Sequence, residues 1–186
     1  MKISAFDARV GNLLEYNGKL WRVLSKNHVK PGKGGAFVQL EMKSIGDGVK
    51  LNERFRSEDK IEKARVEPRR MQYLYADGSS HVFMDAETYE QIALDADDLQ
   101  AQTPFLLPNT EVQINFHNDA PIGVELPATV ALRVTETEGA VKGQTAAGGG
   151  KPATLETGHK VTVPVFINPG ETVKINTDTG AYLERA

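Results

Sequence analysis

The most informative residues in the chain form the run Lys30-Pro31-Gly32-Lys33-Gly34-Gly35. Glycine on each side of Lys33 removes side-chain bulk, so the backbone can turn tightly and lift the ammonium away from the body. Pro31 restricts the approach to the bend and lowers the entropy lost in holding it. A compact cation on a long stem, raised on a narrow hairpin, suits a crowded phosphate-lined cleft. Lys30 and Arg22 are candidates for further phosphate contacts, or are simply solvated charges. By their physics alone, the same residues also describe an ordinary surface hairpin with a solvated lysine.

Other reactive groups do not assemble into a recognisable site. His28, His81, His117 and His159 are scattered singly, with no i, i+4 pair to clamp a metal. They read as surface or packing residues. Gly150-Lys151 superficially suggests a phosphate-binding loop, but Thr145 stands where its first glycine belongs and Pro152 where Ser or Thr must hold magnesium. There is no Gly-x-Ser-x-Gly elbow. Asp95, Asp97 and Asp98 read as a solvated acidic face. The chain has no cysteine, which excludes disulfides, thiolate metal sites and cysteine nucleophiles and suits a reducing compartment. The expectation is a protein with no catalytic residues, no metal and no cofactor.

The elements that must position Lys33 are short strands separated by turn signals. Leu13-Leu14-Glu15-Tyr16 and Lys19 to Leu24 flank Asn17-Gly18, whose residue types supply the positive φ angles of a type I′ hairpin. A second hairpin runs from Ser25 to Met42 with Lys33 at its bend. Gly46-Asp47-Gly48 precedes a strand from Lys50 to Phe55. Farther on, Gln72 to Tyr75 and His81 to Met84 flank Asp77-Gly78. Asp85 is a candidate N-cap for a helix over Ala86 to Ile92. Val112 to Phe116 and Ile122 to Leu126 read as strands around Asn118-Asp119. In the last third, strands are expected at Val130 to Val134, Lys160 to Ile167 and Thr172 to Ile175, with Asp178-Thr179-Gly180 turning into Ala181-Tyr182-Leu183.

Charge divides the chain as sharply as the turns do. Residues 1–65 carry 14 Lys/Arg against 8 Asp/Glu, a net +6, whereas residues 66–128 carry 2 against 11, a net −9. Residues 129–186 balance at 6 of each. The first segment can approach phosphates and the second repels them. The break near Lys63-Ala64-Arg65 coincides with this switch. Three expected domains follow, at residues 1–65, 66–128 and 129–186. Each is near the lower size limit for an independent core, for which a small closed β-barrel is the natural solution. The sequence shows no repeat of fixed period.

Three motifs in this order also carry a resemblance. Lys30-Pro31-Gly32-Lys33-Gly34 resembles the tip of the first domain in the bacterial elongation factor P family. Tyr73-Leu74-Tyr75, Asp77-Gly78 and Phe83-Met84 resemble its second domain. Lys151-Pro152-Ala153, Gly158, Val161-Thr162-Val163-Pro164 and Gly170 resemble its C-terminal signature. The likeness spans essentially the full length. The archaeal and eukaryotic initiation factor that carries hypusine shares the lysine-tipped hairpin but has two domains, so the third segment favours the bacterial form over it. A divergent bacterial paralogue is a closer competitor, disfavoured by the intact Pro-Gly-Lys-Gly tip.

The resemblance implies an all-β chain of three small barrels in tandem, an SH3-like N-terminal domain followed by two OB-fold domains. It implies a cytoplasmic, monomeric translation factor that binds the ribosome beside the peptidyl-tRNA and relieves stalling at consecutive prolines. Lys33 would be the modified lysine, extended by a lysine-modifying enzyme such as a β-lysyl ligase, and Lys30, Pro31, Gly32, Gly34 and Gly35 would form the hairpin facing tRNA and rRNA. Gly143-Gln144-Thr145 matches a loop that approaches mRNA in the exit site, although many members carry an acidic residue where this chain has Gln144. Tyr182 and Arg185 match residues lying near the small subunit. The N-terminal run Met1 to Asp7 lacks the apolar core of a signal peptide, in keeping with the cytoplasm, and no apolar run approaches membrane-spanning length. A general module for single-stranded RNA is the alternative of a different class; it is disfavoured because Phe37 is the only aromatic beside the basic tip in sequence and the middle segment is acidic.

Overall fold

Local turn chemistry fixes most strand registers. The computed structural model describes residues 1–138 and 150–186, and these form three antiparallel sheets with only short 3-10 turns between strands. The fold is all-β, as the strand and turn spacing implies. Cα positions cluster into two compact units, Met1–Glu67 with Asn115–Ile122, and Pro68–Ile114 with Gly123–Ala186.

The first sheet contains β1 (Lys2–Ser4), β2 (Leu13–Tyr16), β3 (Lys19–Val29), β4 (Phe37–Ser44), β5 (Lys50–Arg56) and β6 (Lys60–Lys63), in the order β1-β6-β2-β3-β4-β5. Asn17 (φ 50°) and Gly18 (φ 73°) make the type I′ turn between β2 and β3. Strand alternation then points Val38, Leu40 and Met42 of β4 into a core shared with Leu14, Trp21, Val23, Phe55 and Ile61. The Trp21 indole N–H donates to the Tyr16 carbonyl at 2.9 Å, so the ring is buried without an orphaned donor. Registry between β3 and β4 slips by one residue between Val23 and Ser25, and such a bulge sharpens the curl needed for a small barrel.

The second sheet is built from β7 (Glu67–Asp77), β8 (Ser80–Asp85), β9 (Gln91–Asp95), β10 (Glu111–His117) and β11 (Ala120–Glu125), ordered β11-β10-β7-β8-β9. The third comprises β12 (Thr129–Thr137), β13 (Lys151–Leu155), β14 (Lys160–Val163), β15 (Thr172–Asn176) and β16 (Tyr182–Arg185), ordered β14-β13-β12-β15-β16. Numbered within each sheet, both orders are 5-4-1-2-3, with the first strand central; this is the five-stranded OB arrangement twice over. Each central strand also bulges against the second, between Tyr73 and Tyr75 in β7 and between Val134 and Glu136 in β12. The fold therefore repeats although the sequence has no fixed period. Phe105, at the end of a short turn, joins Leu132, Val134, Leu155, Ile167, Val173 and Ile175 in one buried cluster.

Two expectations are corrected. Asp85 does not open a helix. Its Oδ1 accepts from the N–H groups of Glu87 (2.8 Å) and Thr88 (3.1 Å), and the Tyr89 N–H returns to the Asp85 carbonyl at 3.0 Å. The chain thus closes a single turn and enters β9, where Ile92 pairs with Phe83. Too few residues were available to build a helical apolar face, and sheet pairing won. The strand expected over Lys160 to Ile167 ends at Val163, because Pro164 has no N–H to continue a ladder. Ile167 is nevertheless completely buried, reaching the core from a turn.

Candidate nucleic-acid interface

The hairpin that carries Lys33 has a firm stem and an open tip. β3 and β4 stay paired to Val29 and Phe37, leaving residues 30–36 as the tip loop. At its C-terminal foot the Ala36 carbonyl accepts from the Ser57 N–H at 3.1 Å, which ties the loop to the turn after β5. Beyond that foot, Pro31, Gly32, Lys33, Gly34 and Gly35 are all exposed. Among the described residues, Lys33 and Lys30 have no hydrogen-bond or ion-pair partner. Gly34 alone of the three tip glycines has a left-handed backbone, φ +101°. Two ammonium groups are therefore offered to solvent on a short, anchored projection.

The residues gathered around this stem were only partly visible in the sequence. Arg22 does not join the tip: it pairs with Lys43 seven residues before Val29, about 23 Å along the strand. Arg54 does join it. Its guanidinium lies 3.4 Å from the Phe37 ring centroid, in a stacking arrangement that favours the cation, and Arg56 pairs directly across from Phe37. On the other side of the stem, the Phe6 ring meets His28 edge-on at 4.9 Å and Lys26 at 4.9 Å. Phe37 is thus not the sole aromatic beside the basic hairpin. Arg54 is 21 residues from Lys33 and Phe6 is 27, so only strand pairing could reveal either neighbour.

The C-terminal candidates stand at the two ends of β16. Tyr182 is half-buried and packs against the third core, while Arg185 is held rather than frayed. Its guanidinium sits 4.5 Å from the Phe166 ring, donates to the Phe166 carbonyl at 3.2 Å and lies 3.4 Å from a Glu171 carboxylate oxygen. Gly143, Gln144 and Thr145 lie outside the described residues. Three of the four histidines, His81, His117 and His159, are engaged in hydrogen bonds within the fold. His81 meets the Tyr73 hydroxyl at 3.0 Å, the His117 Nδ1–H donates to the Arg65 carbonyl at 2.8 Å, and the His159 Nε2–H donates to the Gly180 carbonyl at 2.9 Å. No group of three or more His, Asp or Glu suited to a metal occurs among the described residues, nor is any helix there long and apolar enough to cross a membrane.

An SH3-like sheet with a projecting lysine hairpin, followed by two OB-type sheets, defines an all-β protein of small barrel-type domains. Family models agree in order along the chain: the KOW-like domain of elongation factor P (EF-P) matches residues 4–61, its OB domain residues 66–124, and its C-terminal domain residues 130–185. The chain belongs to the elongation factor P family. It is 60% identical over 186 residues to elongation factor P of Acidithiobacillus ferrooxidans (strain ATCC 53993 / BNL-5-31), covering 100% of both chains. With the elongation factor P of Nitrosospira multiformis it shares 55% identity over 185 residues, covering 99% of this chain and 98% of that one. Among solved structures, eukaryotic translation initiation factor 5A from Methanococcus jannaschii superposes with a TM-score of 0.57 at 23% identity, covering 68% of this chain and 92% of that chain, a likeness of fold.

Proposed function

We propose that this chain binds the ribosome beside the peptidyl-tRNA and promotes peptide-bond formation at consecutive-proline stalls, with Lys33 at the tRNA end. The observation that carries the reading is the exposed, unpartnered Lys33 at the tip of a hairpin whose feet are fixed. Proline's ring restricts the geometry of the reacting amine and ester. An ammonium held against the tRNA end biases it toward the productive arrangement, so the barrier falls by orientation while the ribosome makes the bond. At about 1.4 kcal/mol per tenfold, a few ordered contacts suffice for a large effect on a slow step. The chain itself then supplies no catalytic group.

In this reading, Lys33 is lengthened by a lysine-modifying enzyme of the β-lysyl ligase kind, and Lys30 together with the tip glycines lines the RNA. Residues 1–65, 66–128 and 129–186 act as three domains of a cytoplasmic monomer. Gly143-Gln144-Thr145 meets mRNA in the exit site, and Tyr182 with Arg185 faces the small subunit.

The test is reconstituted translation of a reporter containing consecutive prolines, using protein from the native source so that any modification is present. Wild type relieves the stall and Lys33→Ala does not. Lys33→Arg keeps the charge but cannot be extended as a lysine is, and it falls well below wild type. Failure of the native, modified protein to relieve the stall would discard the reading.

A further inference from the structure

Phe6 is the centre of a 3-10 turn, Ala5–Asp7, capped by the Ser4 hydroxyl, which accepts from the Asp7 N–H at 3.3 Å. Two backbone bonds fasten this turn to the basic hairpin. The Phe6 N–H donates to the Ser57 carbonyl at 3.1 Å, and the Ser57 N–H donates to Ala36, at the foot of the tip loop, at 3.1 Å. The Ala5 N–H adds a third anchor on the Asp59 carbonyl at 2.8 Å. The ring is consequently held in place, yet it is 49% exposed.

An imidazole and an ammonium meet the ring. The His28 ring crosses it at 69° with centroids 4.9 Å apart, and the Lys26 ammonium stands 4.9 Å from its centroid while also donating to the Phe6 carbonyl. Lys26 and His28 alternate onto one side of β3. The unpartnered, exposed Lys30 begins the tip loop two residues after His28, where β3 ends at Val29. A lone exposed aromatic is ordinary. A rigid one beside a cation and an imidazole, on a segment of net +6, has the composition of a single-stranded nucleic-acid platform. The aromatic and cation contacts of the ring are with His28 and Lys26, on the positively charged first segment, which favours a nucleic acid over a protein as the occupant.

We propose that Phe6, with His28 and Lys26, is a stacking site for one unpaired nucleotide of the RNA that the hairpin meets, the base lying on the Phe6 ring and its phosphate toward Lys30. The site rests on the translation-factor reading, and it adds a base contact to a phosphate contact. The probe is an RNA hairpin with a short single-stranded 3′ end, titrated against the full chain, with a blunt hairpin of the same stem as comparison. Phe6→Ala weakens binding of the single-stranded end about tenfold and Phe6→Tyr restores it. Because stacking releases no counterions, the salt dependence stays that of wild type in Phe6→Ala, whereas Lys30→Ala lowers the slope by about one. Equal affinity of wild type and Phe6→Ala, an equal loss on the blunt hairpin, or no binding by wild type overturns the site. So does unchanged RNA binding in Phe6→Ala accompanied by failure of a modifying enzyme to act on Lys33, which makes the patch a protein contact. The translation assay separates the two claims: if wild type does not relieve the stall the functional reading fails, whereas if wild type and Phe6→Ala relieve it equally only the platform does.

Discussion

Tyr89 and Gly180 occupy the same position of the same turn. After Asp85, the Tyr89 N–H bonds the Asp85 carbonyl at 3.0 Å and the Asp85 N–H bonds Glu90 at 2.8 Å; after Asn176, the Gly180 N–H bonds the Asn176 carbonyl at 2.8 Å and the Asn176 N–H bonds Ala181 at 2.9 Å. In each turn the first side chain accepts from the next two N–H groups but one, Glu87 and Thr88 in one case and Asp178 and Thr179 in the other. Both end residues are left-handed, at φ 61° and 72°. Glycine takes that conformation freely, whereas a bulky side chain costs about 1–2 kcal/mol there.

The pair yields opposite outcomes on substitution. Tyr89 is 70% exposed, so Tyr89→Gly removes strain with little packing lost and is expected to stabilise by about 0.5 kcal/mol after the glycine's added unfolded-state entropy. Gly180→Ala is expected to destabilise by about 1–2 kcal/mol, since its Cβ would also stand 3.2 Å from the His159 ring. Urea unfolding of the two variants beside wild type measures both. Destabilisation of similar size in both would show that Tyr89 is not strained.

The tip glycines are unequal by the same reasoning. Gly32, Gly34 and Gly35 all have open space where a Cβ would go, and only Gly34 has a left-handed φ. Gly34→Ala should cost about 1 kcal/mol and redirect the loop, whereas Gly32→Ala and Gly35→Ala should fold with midpoints within about 0.5 kcal/mol of wild type. Amide chemical shifts across residues 30–36, read with the unfolding midpoints, distinguish a redirected tip from a tolerated methyl group.

What the sequence disclosed was local. Asn17-Gly18 specifies its turn whatever lies elsewhere, so the first hairpin was legible, and so was the projecting Lys33 between glycines. Asp85 misled because an N-cap and an Asx turn begin with the same side-chain bonds; the pairing of Ile92 with Phe83 decides between them, and that information lies outside the segment. Phe6 and Arg54 reach the hairpin through strand pairing and a turn tied by backbone bonds, which no local pattern encodes. The doubled 5-4-1-2-3 strand order likewise has no sequence period behind it, because a sheet needs alternation and bulges at matching places rather than matching residues.

Asp47 gives the first sheet an acid-sensitive turn. Its carboxylate accepts from the Lys19 ammonium at 2.7 Å and from the Val49 N–H at 3.1 Å, the Lys19 bond contributing most, and its pKa is lowered from 3.8 to about 2. A depressed carboxylate stabilises the fold above its unfolded value, and that contribution is lost as pH falls through the folded value. Unfolding midpoints should therefore drop between pH about 4 and about 2, with part of the drop removed in Asp47→Asn. Because the pair is exposed, added salt should shrink the difference between the two proteins. Identical acid profiles would remove Asp47 from the account.

Gly150 is required for a different reason from Gly34, and the contrast can be measured. A Cβ built on Gly150 would lie 2.0 Å from the Val163 carbonyl oxygen and 2.7 Å from its carbon. That carbonyl cannot swing aside cheaply, because Val163 pairs with Lys151 in the β13–β14 ladder, the next residue along. Lys151 is itself buried, its ammonium donating to the Glu138 carbonyl, so displacing the strand would also strip a charge of its partner. Glycine here serves close approach between two backbones rather than an unusual φ. Gly150→Ala should destabilise by more than about 2 kcal/mol, well beyond the conformational cost at Gly34. Hydrogen exchange at Thr162 and Val163 should rise with it while the first sheet keeps its protection. A midpoint equal to wild type would mean that the strands separate readily at this point, and the tight approach would then have no part in holding β13 against β14.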